Sequence, residues 1–213
     1  TIRTPTAISG YTTLGWRDDE EASAAEYEVG ATKEISKSSE YYAVYERAIT
    51  ISYTSMGGDT TPRSETKTLI YNTVQDTDKV TSKFTLANEI TRRGYEFTGW
   101  DKGNTGEVYE AGSEIELSGS TKMYAKWEAA KFNVTYDYGT NGGSSVSEAS
   151  KKTVYGTQVD LGVTAEKTGY EFVGWSNEAG SSKVLEEMEM PAKDITLYAV
   201  YRMPLKAKWI ITD

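Results

Sequence analysis

The chain has 213 residues, is 38% hydrophobic and carries a formal charge of −9 from 32 acidic and 23 basic side chains. Such an acid excess works against binding nucleic-acid phosphates or an anionic membrane face, both of which need clustered Lys and Arg. There is no Cys and no His, which excludes disulfides, Cys/His zinc sites, thiol catalysis and every general base or triad built on an imidazole.

Sixteen tyrosines, four phenylalanines and 19 glycines suit strands and turns better than long helices. The aromatic and β-branched content argues against disorder, and no run of 18 apolar residues is present to span a membrane as a helix. In chain order, the first landmark is Gly10-Tyr11 followed by Gly15-Trp16, and the second is Tyr42-Ala43-Val44-Tyr45. Between them, Glu20 to Glu28 has a helix-friendly composition ending near Gly30. An alternating segment from Ile49 to Tyr53 follows, then Gly57-Gly58 and Ile70-Tyr71. Phe84 to Arg93 carries a second slight helical signal.

From there the landmarks return in the same order. Gly94-Tyr95 with Gly99-Trp100 leads to Tyr124-Ala125-Lys126-Trp127. The alternating segment Phe132 to Tyr136 leads through Gly142-Gly143 and Val154-Tyr155 to Gly169-Tyr170 with Gly174-Trp175, and then to Tyr198-Ala199-Val200-Tyr201. From each Trp to the Tyr of the closing motif the offsets are 26, 24 and 23 residues. Two motifs recurring in order at near-constant offset define an internal repeat. The motif glycines lie 84 and then 75 residues apart, and eight of the nine extra residues fall between Tyr53 and Gly94. That interval predicts a loop insertion in the front half of the second repeat.

Inside each repeat the pattern has a period of two. Phe132, Val134 and Tyr136 share one face, as do Met123, Ala125 and Trp127, and as do Leu197, Ala199 and Tyr201. These alternations predict half-buried strands of an antiparallel or mixed sheet. Tyr95 and Phe97 share a face, but Trp100 falls on the opposite parity. Gly99 is therefore predicted to be a bulge or tight bend that returns the indole to the core, and Trp16, Trp100 and Trp175 are read as structural.

On these residues the chain resembles the Listeria–Bacteroides repeat, the internalin B-repeat family, over essentially its whole length. The carriers are the opening strand with Gly142-Gly143, the Val154-Tyr155-Gly156 step, Gly169-Tyr170-x-Phe172-x-Gly174-Trp175, and Leu197-Tyr198-Ala199-x-Tyr201. The resemblance implies compact β-grasp, ubiquitin-like modules, frequently in tandem, in secreted or wall-attached bacterial proteins, and it implies no catalytic activity. Departures are mild. The family's closing Trp is kept at Trp127 and replaced at Tyr45 and Tyr201, and its Tyr-Gly step becomes Tyr71-Asn72.

The sequence divides at these landmarks into residues 1–47, a repeat without its opening strand; 48–129, with the insertion; 130–203; and a tail, 204–213. In the tail, Ala207 to Thr212 mirrors Ala130 to Thr135 and reads either as an orphan opening strand, suited to strand exchange between chains, or as a disordered end. Thr1 opens no signal peptide, so the address of an exported protein would lie outside this sequence. The joints Glu46 to Ala48 and Glu128 to Ala130 are too short for floppy linkers, which predicts semi-rigid coupling.

Chemistry-bearing clusters are sparse. The acidic runs Asp18-Asp19-Glu20-Glu21 and Asp76-Thr77-Asp78 lack the alternating acids, central Gly and terminal Glu of a calcium loop and read as solvated faces. Glu96 and Glu171 share a motif position but lie opposite Tyr and Phe on their strands, where polar residues belong. No phosphate-cradling glycine pattern occurs, so neither cofactor nor metal is expected. Tyr41, Tyr42 and Tyr109 are candidates for stacking on sugar or anchoring a protein partner. The expectation is a mainly β chain of tandem, small β-grasp-like modules forming an elongated array. It would serve as a non-enzymatic spacer or adhesion segment of an extracellular, cell-surface or cell-wall protein that touches a host or matrix protein or glycan. A carbohydrate-binding module is the alternative.

Overall fold

The period-two segments are strands in the computed structural model of the chain, which describes residues 1–20, 24–34, 38–73 and 80–205. In order they are β1 (Thr12–Arg17), β2 (Tyr42–Thr54), β3 (Glu65–Asn72), β4 (Ser82–Thr85), β5 (Tyr95–Lys102), β6 (Val108–Tyr109), β7 (Glu114–Leu117), β8 (Thr121–Ala129), β9 (Lys131–Asp137), β10 (Ser145–Val146), β11 (Ser150–Val154), β12 (Ala165–Glu166), β13 (Glu171–Ser176) and β14 (Ile195–Arg202). The chain forms two compact units. One comprises Thr1–Thr91 with Phe97–Trp127, the other Arg92–Glu96 with the chain from Glu128 onward.

The second unit shows the repeat complete. Its sheet runs β11-β9-β14-β13, with antiparallel outer pairs and a parallel central pair, β9 with β14, in register from Val134↔Ile195 to Asp137↔Tyr198. The inward residues are those that the alternation selects. Val134, Tyr136, Leu197, Ala199 and Trp175 are buried together with Val159, Val163, Ala165 and Met190. Each large side chain so buried contributes about 1.5–3 kcal/mol from apolar area alone.

In the first unit the same parts recur, preceded by an additional pair. The latter half of β2 pairs in parallel with β8 from Ile51↔Thr121 to Thr54↔Tyr124. Its earlier half pairs antiparallel with β1. Along the opposite edge, β3 spans both halves, from Val44↔Asn72 to Ile51↔Glu65. The junction Glu46–Ala48 therefore lies inside one 13-residue strand, with no linker of its own. Ile49, Ile51, Tyr53, Phe84, Trp100 and Met123 anchor the larger core, and Ala43, Tyr45 and Tyr71 form a smaller one.

The helical signal over Phe84 to Arg93 is overridden: Ser82–Thr85 is a strand paired with β7, and residues 86–91 are irregular. Phe84 and Leu86, two apart, are both buried in the core, which extended chain allows and a helix does not. Glu20 to Glu28 includes residues outside the described set; among those described, Tyr27 bridges Trp16 in an antiparallel pair. A β-grasp carries a helix over its sheet, whereas no helix occurs among the described residues. Irregular chain around Leu86–Ile90 and Val159–Val163 covers the core instead. No helix among the described residues is long and apolar enough to cross a membrane. Residues 74–79, within the predicted insertion, and most of the tail, 206–213, lie outside the described residues.

Candidate functional site

Each repeat is organised by one turn and one bulge. The turn starts with the amide of the motif Tyr donating to the carbonyl three residues back: Tyr11 to Ile8 at 3.1 Å, Tyr95 to Arg92 at 3.0 Å and Tyr170 to Lys167 at 3.0 Å. Gly10, Gly94 and Gly169 occupy the third position with φ of 80°, 81° and 80°, the left-handed conformation that a type II turn demands there. Five residues on, Gly15, Gly99 and Gly174 have φ of 143°, 140° and 149°. The strand register slips at Gly15 and at Gly174. This is the bulge that returns the Trp to the inward parity.

Trp100 and Trp175 occupy matching surroundings. Trp100 meets Tyr53 and Phe97 edge-on, with centroids 4.8 and 5.1 Å away; Trp175 meets Tyr136 and Phe172 edge-on at 5.0 and 5.3 Å. Both indoles are fully buried, and each donates Nε1–H to a backbone carbonyl, Ala87 at 2.8 Å and Val163 at 2.7 Å. Satisfying the indole donor is the condition for burying it without penalty. Trp16 makes the same bond, to Arg3 at 2.7 Å, but is only half-buried.

The closing aromatics explain the glycine pairs. Trp127 stands edge-on to Phe97 at 5.4 Å and donates to Ser55 O at 2.9 Å. Tyr201 holds the same place against Phe172 at 6.1 Å, its hydroxyl 3.4 Å from Tyr138 O. A Cβ at Gly58 would lie 2.8 Å from the Trp127 ring, and one at Gly143 would run into the Tyr201 hydroxyl. The first glycine of each pair, Gly57 or Gly142, supplies a positive φ; the second supplies room. Tyr45, the first closing aromatic, instead donates to Thr6 O at 2.7 Å. Tyr124 and Tyr198, at the start of the closing motif, alternate with the inward residues and are half-buried.

The residue after each Trp is buried whatever its polarity: Arg17, Asp101 and Ser176. Asp101 accepts from the amides of Thr105 at 2.9 Å and Gly106 at 3.0 Å and pairs with Lys126 Nζ at 2.9 Å. The hydrogen bond from Lys126 above all holds its carboxyl below the usual range. Arg17 is tied to Asp19 at 2.7 Å and Glu26 at 3.3 Å. Asp18, Asp19 and Glu26 converge, yet Arg17 and Lys33, with the Tyr27 hydroxyl at 2.9 Å from Asp18, already face their oxygens. Glu96 is exposed on its strand, and Glu171 is held by Arg202 at 2.7 Å.

One cleft combines aromatic and cationic groups: Thr1, Ile2, Arg3, Trp16, Lys33 and Tyr41 line it. Lys33 Nζ sits 3.6 Å from the centre of the Tyr27 ring and 5.0 Å from that of Tyr41. Of the other two tyrosines singled out, Tyr42 bonds Glu40 at 3.0 Å, and Tyr109 bonds Glu107 and packs against the larger core. Sequence reasoning missed a basic residue two before the turn glycine. Arg92 lies 3.8 Å over the Tyr95 ring and Lys167 4.2 Å over that of Tyr170. Its signal was present as a shared charge at a shared offset.

The geometry defines a class, a tandem series of small all-β repeats, two of which pack on matching buried indoles, Trp100 and Trp175. The Listeria–Bacteroides repeat domain matches residues 50–126 and 132–200, more than half of the chain. The chain belongs to the Listeria–Bacteroides repeat family. It is 33% identical over 123 residues to a putative Gly-rich membrane protein of Evansella cellulosilytica, covering 52% of this chain and 14% of that protein. A putative membrane protein of the same organism is 28% identical over 202 residues, 92% of this chain and 27% of its own length. Internalin H of Listeria monocytogenes is 29% identical over 142 residues, 62% of this chain and 25% of its own. The chain thus spans between 14% and 27% of the length of these relatives. No solved structure matches it.

Proposed function

We propose that the chain is a non-enzymatic spacer and adhesion segment of a bacterial cell-surface protein, with its repeats coupled semi-rigidly. The observation that carries this reading is β2, a single strand that closes one repeat and opens the next through Glu46–Ala48. A joint made of strand resists bending, as neighbours in repeat arrays do. A cell-envelope setting is supported by relatives named as membrane proteins and as an internalin. The partner of an adhesion surface would be a host or matrix protein or a glycan. Small-angle scattering tests the spacer role. An elongated chain gives a radius of gyration well above the ~17 Å of a compact globule of this length, and a value at that figure rejects the reading.

A second reading, binding of carbohydrate, is favoured by the cleft at Trp16 and Tyr41, where aromatic faces and the cationic Lys33 stand together. Screening the protein and its Trp16→Ala and Tyr41→Ala variants against immobilised glycans separates the two. Binding that both variants abolish selects the carbohydrate module, and no binding by the parent rejects it.

A further inference from the structure

Tyr71 and Tyr155 each end the Ile/Val-Tyr step of a repeat, and each meets the turn tyrosine of the repeat before it. Tyr11 stands edge-on to Tyr71 at 4.8 Å and 68°. Tyr95 stands edge-on to Tyr155 at 5.6 Å and 76°. Each pair lies within a single compact unit. The second contact is closed by backbone as well: Ala130 N–H donates to Gly94 O at 3.0 Å, and Tyr155 N–H to Ala130 O at 2.8 Å. The Tyr155 ring lies so close that a Cβ at Gly94 would come 2.5 Å from it. Arg92 lies over the Tyr95 ring as well.

The third copy of this turn is built in the same way. Gly169 has the same φ, Tyr170 makes the same turn bond, and Lys167 covers its ring as Arg92 covers Tyr95. Lys167 is itself anchored to Asn141 O at 2.7 Å. Yet Tyr170 is 38% exposed beside Met203 at 63% and Leu205 at 101%, and these three border one open groove with Gly169 and Pro204. Where Gly94 has a tyrosine ring against it, Gly169 faces open space among the described residues.

We propose that the Gly169–Tyr170 turn, with Met203 and Leu205, is the seat for a further repeat of this family, which docks the tyrosine of its own Ile/Val-Tyr step edge-on against Tyr170. The inference goes beyond the spacer reading but rests on it in one respect, that repeats succeed one another in tandem. The seat differs from its predecessor at the joint: Ala207, which mirrors Ala130, comes six residues after Tyr201, whereas Ala130 comes three after Trp127. Continuing the register of Glu171↔Arg202, it is Pro204 that falls opposite Gly169, as Ala130 does opposite Gly94. It brings no N–H to Gly169 O, so side chains carry this joint and Tyr170 is its main contact.

The test uses the whole chain to Thr212 continued by a second copy of residues 136–203, so that the tail serves as the opening strand of the added repeat. Hydroxyl-radical labelling read by mass spectrometry reports the exposure of Tyr170 and Met203, with Met56, 48% exposed in the first unit, as internal reference. The expected result is at least a threefold loss of labelling at Tyr170 and Met203 on extension, with Met56 unchanged. That protection is expected to disappear at Tyr170 when the tyrosine of the added copy corresponding to Tyr155 is replaced by Ala. In the parent chain, Tyr155→Ala should raise the labelling of Tyr95, which calibrates the readout without any added repeat. Unchanged labelling of Tyr170 on extension overturns the proposal. So does protection of Tyr170 in the parent that grows with its concentration, because the occupant is then a second molecule. An elongated scattering profile combined with a fully labelled Tyr170 would retain the spacer and reject the seat.

Discussion

At the scale of single residues, the glycines divide by what they do. Gly94 and Gly169 supply a turn conformation, Gly99 and Gly174 a bulge, and Gly58 and Gly143 supply space. The last pair yields a sharp prediction. Gly143→Ala places a methyl against the Tyr201 hydroxyl and 2.5 Å from Tyr138 O, a backbone atom that cannot swing away. The expected cost is about 1–3 kcal/mol of overpacking, read from chemical denaturation, and Gly58→Ala against Trp127 should cost a similar amount. Gly119→Ala meets nothing within 4 Å and should be neutral; equal costs at all three sites would refute the assignment. The bulge was legible because a Trp of the wrong parity needs one. The purpose of Gly58 was not, since its partner Trp127 lies far along the sequence and meets it only once the sheet is formed.

Charge at this scale gives a pH dependence. Asp101 is held below its ordinary 3.8 chiefly by Lys126, Asp160 chiefly by Lys151, Asp137 by Thr140 and Asp194 by Asn133. A depressed carboxyl binds its proton less readily when folded, so its contribution is complete above the unfolded value and is lost as pH falls through the folded one. Tyr136 runs the other way. Burial pushes its hydroxyl from 10.0 up to about 12, so its contribution is complete below 10.0 and is lost as pH climbs between those values. Stability measured across pH should therefore form a plateau with an acid limb below about 4 and an alkaline limb above about 10. Asp101→Asn should lower the plateau and flatten the acid limb; an acid limb identical to the parent's would show that Asp101 carries no linkage.

Among elements, the strands were readable from alternation, and their pairing was not. The parallel contact of β9 with β14 joins segments about sixty residues apart, and period two says nothing of partner or direction. The false helical signal at Phe84 to Arg93 has the same origin: local composition lost to a core that needed Phe84 and Leu86 on one side of an extended chain. The continuity of β2 through Glu46–Ala48 leads to a prediction in hydrogen exchange. Residues Val44 to Ile51 pair with β3 without interruption, so whichever of the adjacent Arg47 and Ala48 amides points into that ladder should be protected to the same order as the ladder amides of Ile49–Ile51. Exchange at Glu46–Ala48 a hundredfold faster than on either side would mean a hinge where a strand is described.

For the molecule as a whole, the repeat was legible because its landmarks recur in order, and the core positions follow from them. What no landmark announced is that compactness groups the Arg92–Glu96 turn with the chain after Glu128, because that grouping depends on Tyr155 reaching Gly94 in space. The central claim is that one cassette is written more than once, with the same buried indole at its heart. Exchange of the indole Nε1 protons, resolved by nitrogen-15 NMR, tests it most directly. Slow and comparable exchange is expected at Trp100 and Trp175, whose bonds to Ala87 O and Val163 O are buried alike, and much faster exchange at half-buried Trp16. Rates at Trp100 and Trp175 that differ by orders of magnitude, or that match solvent-exposed indole at either one, would contradict it.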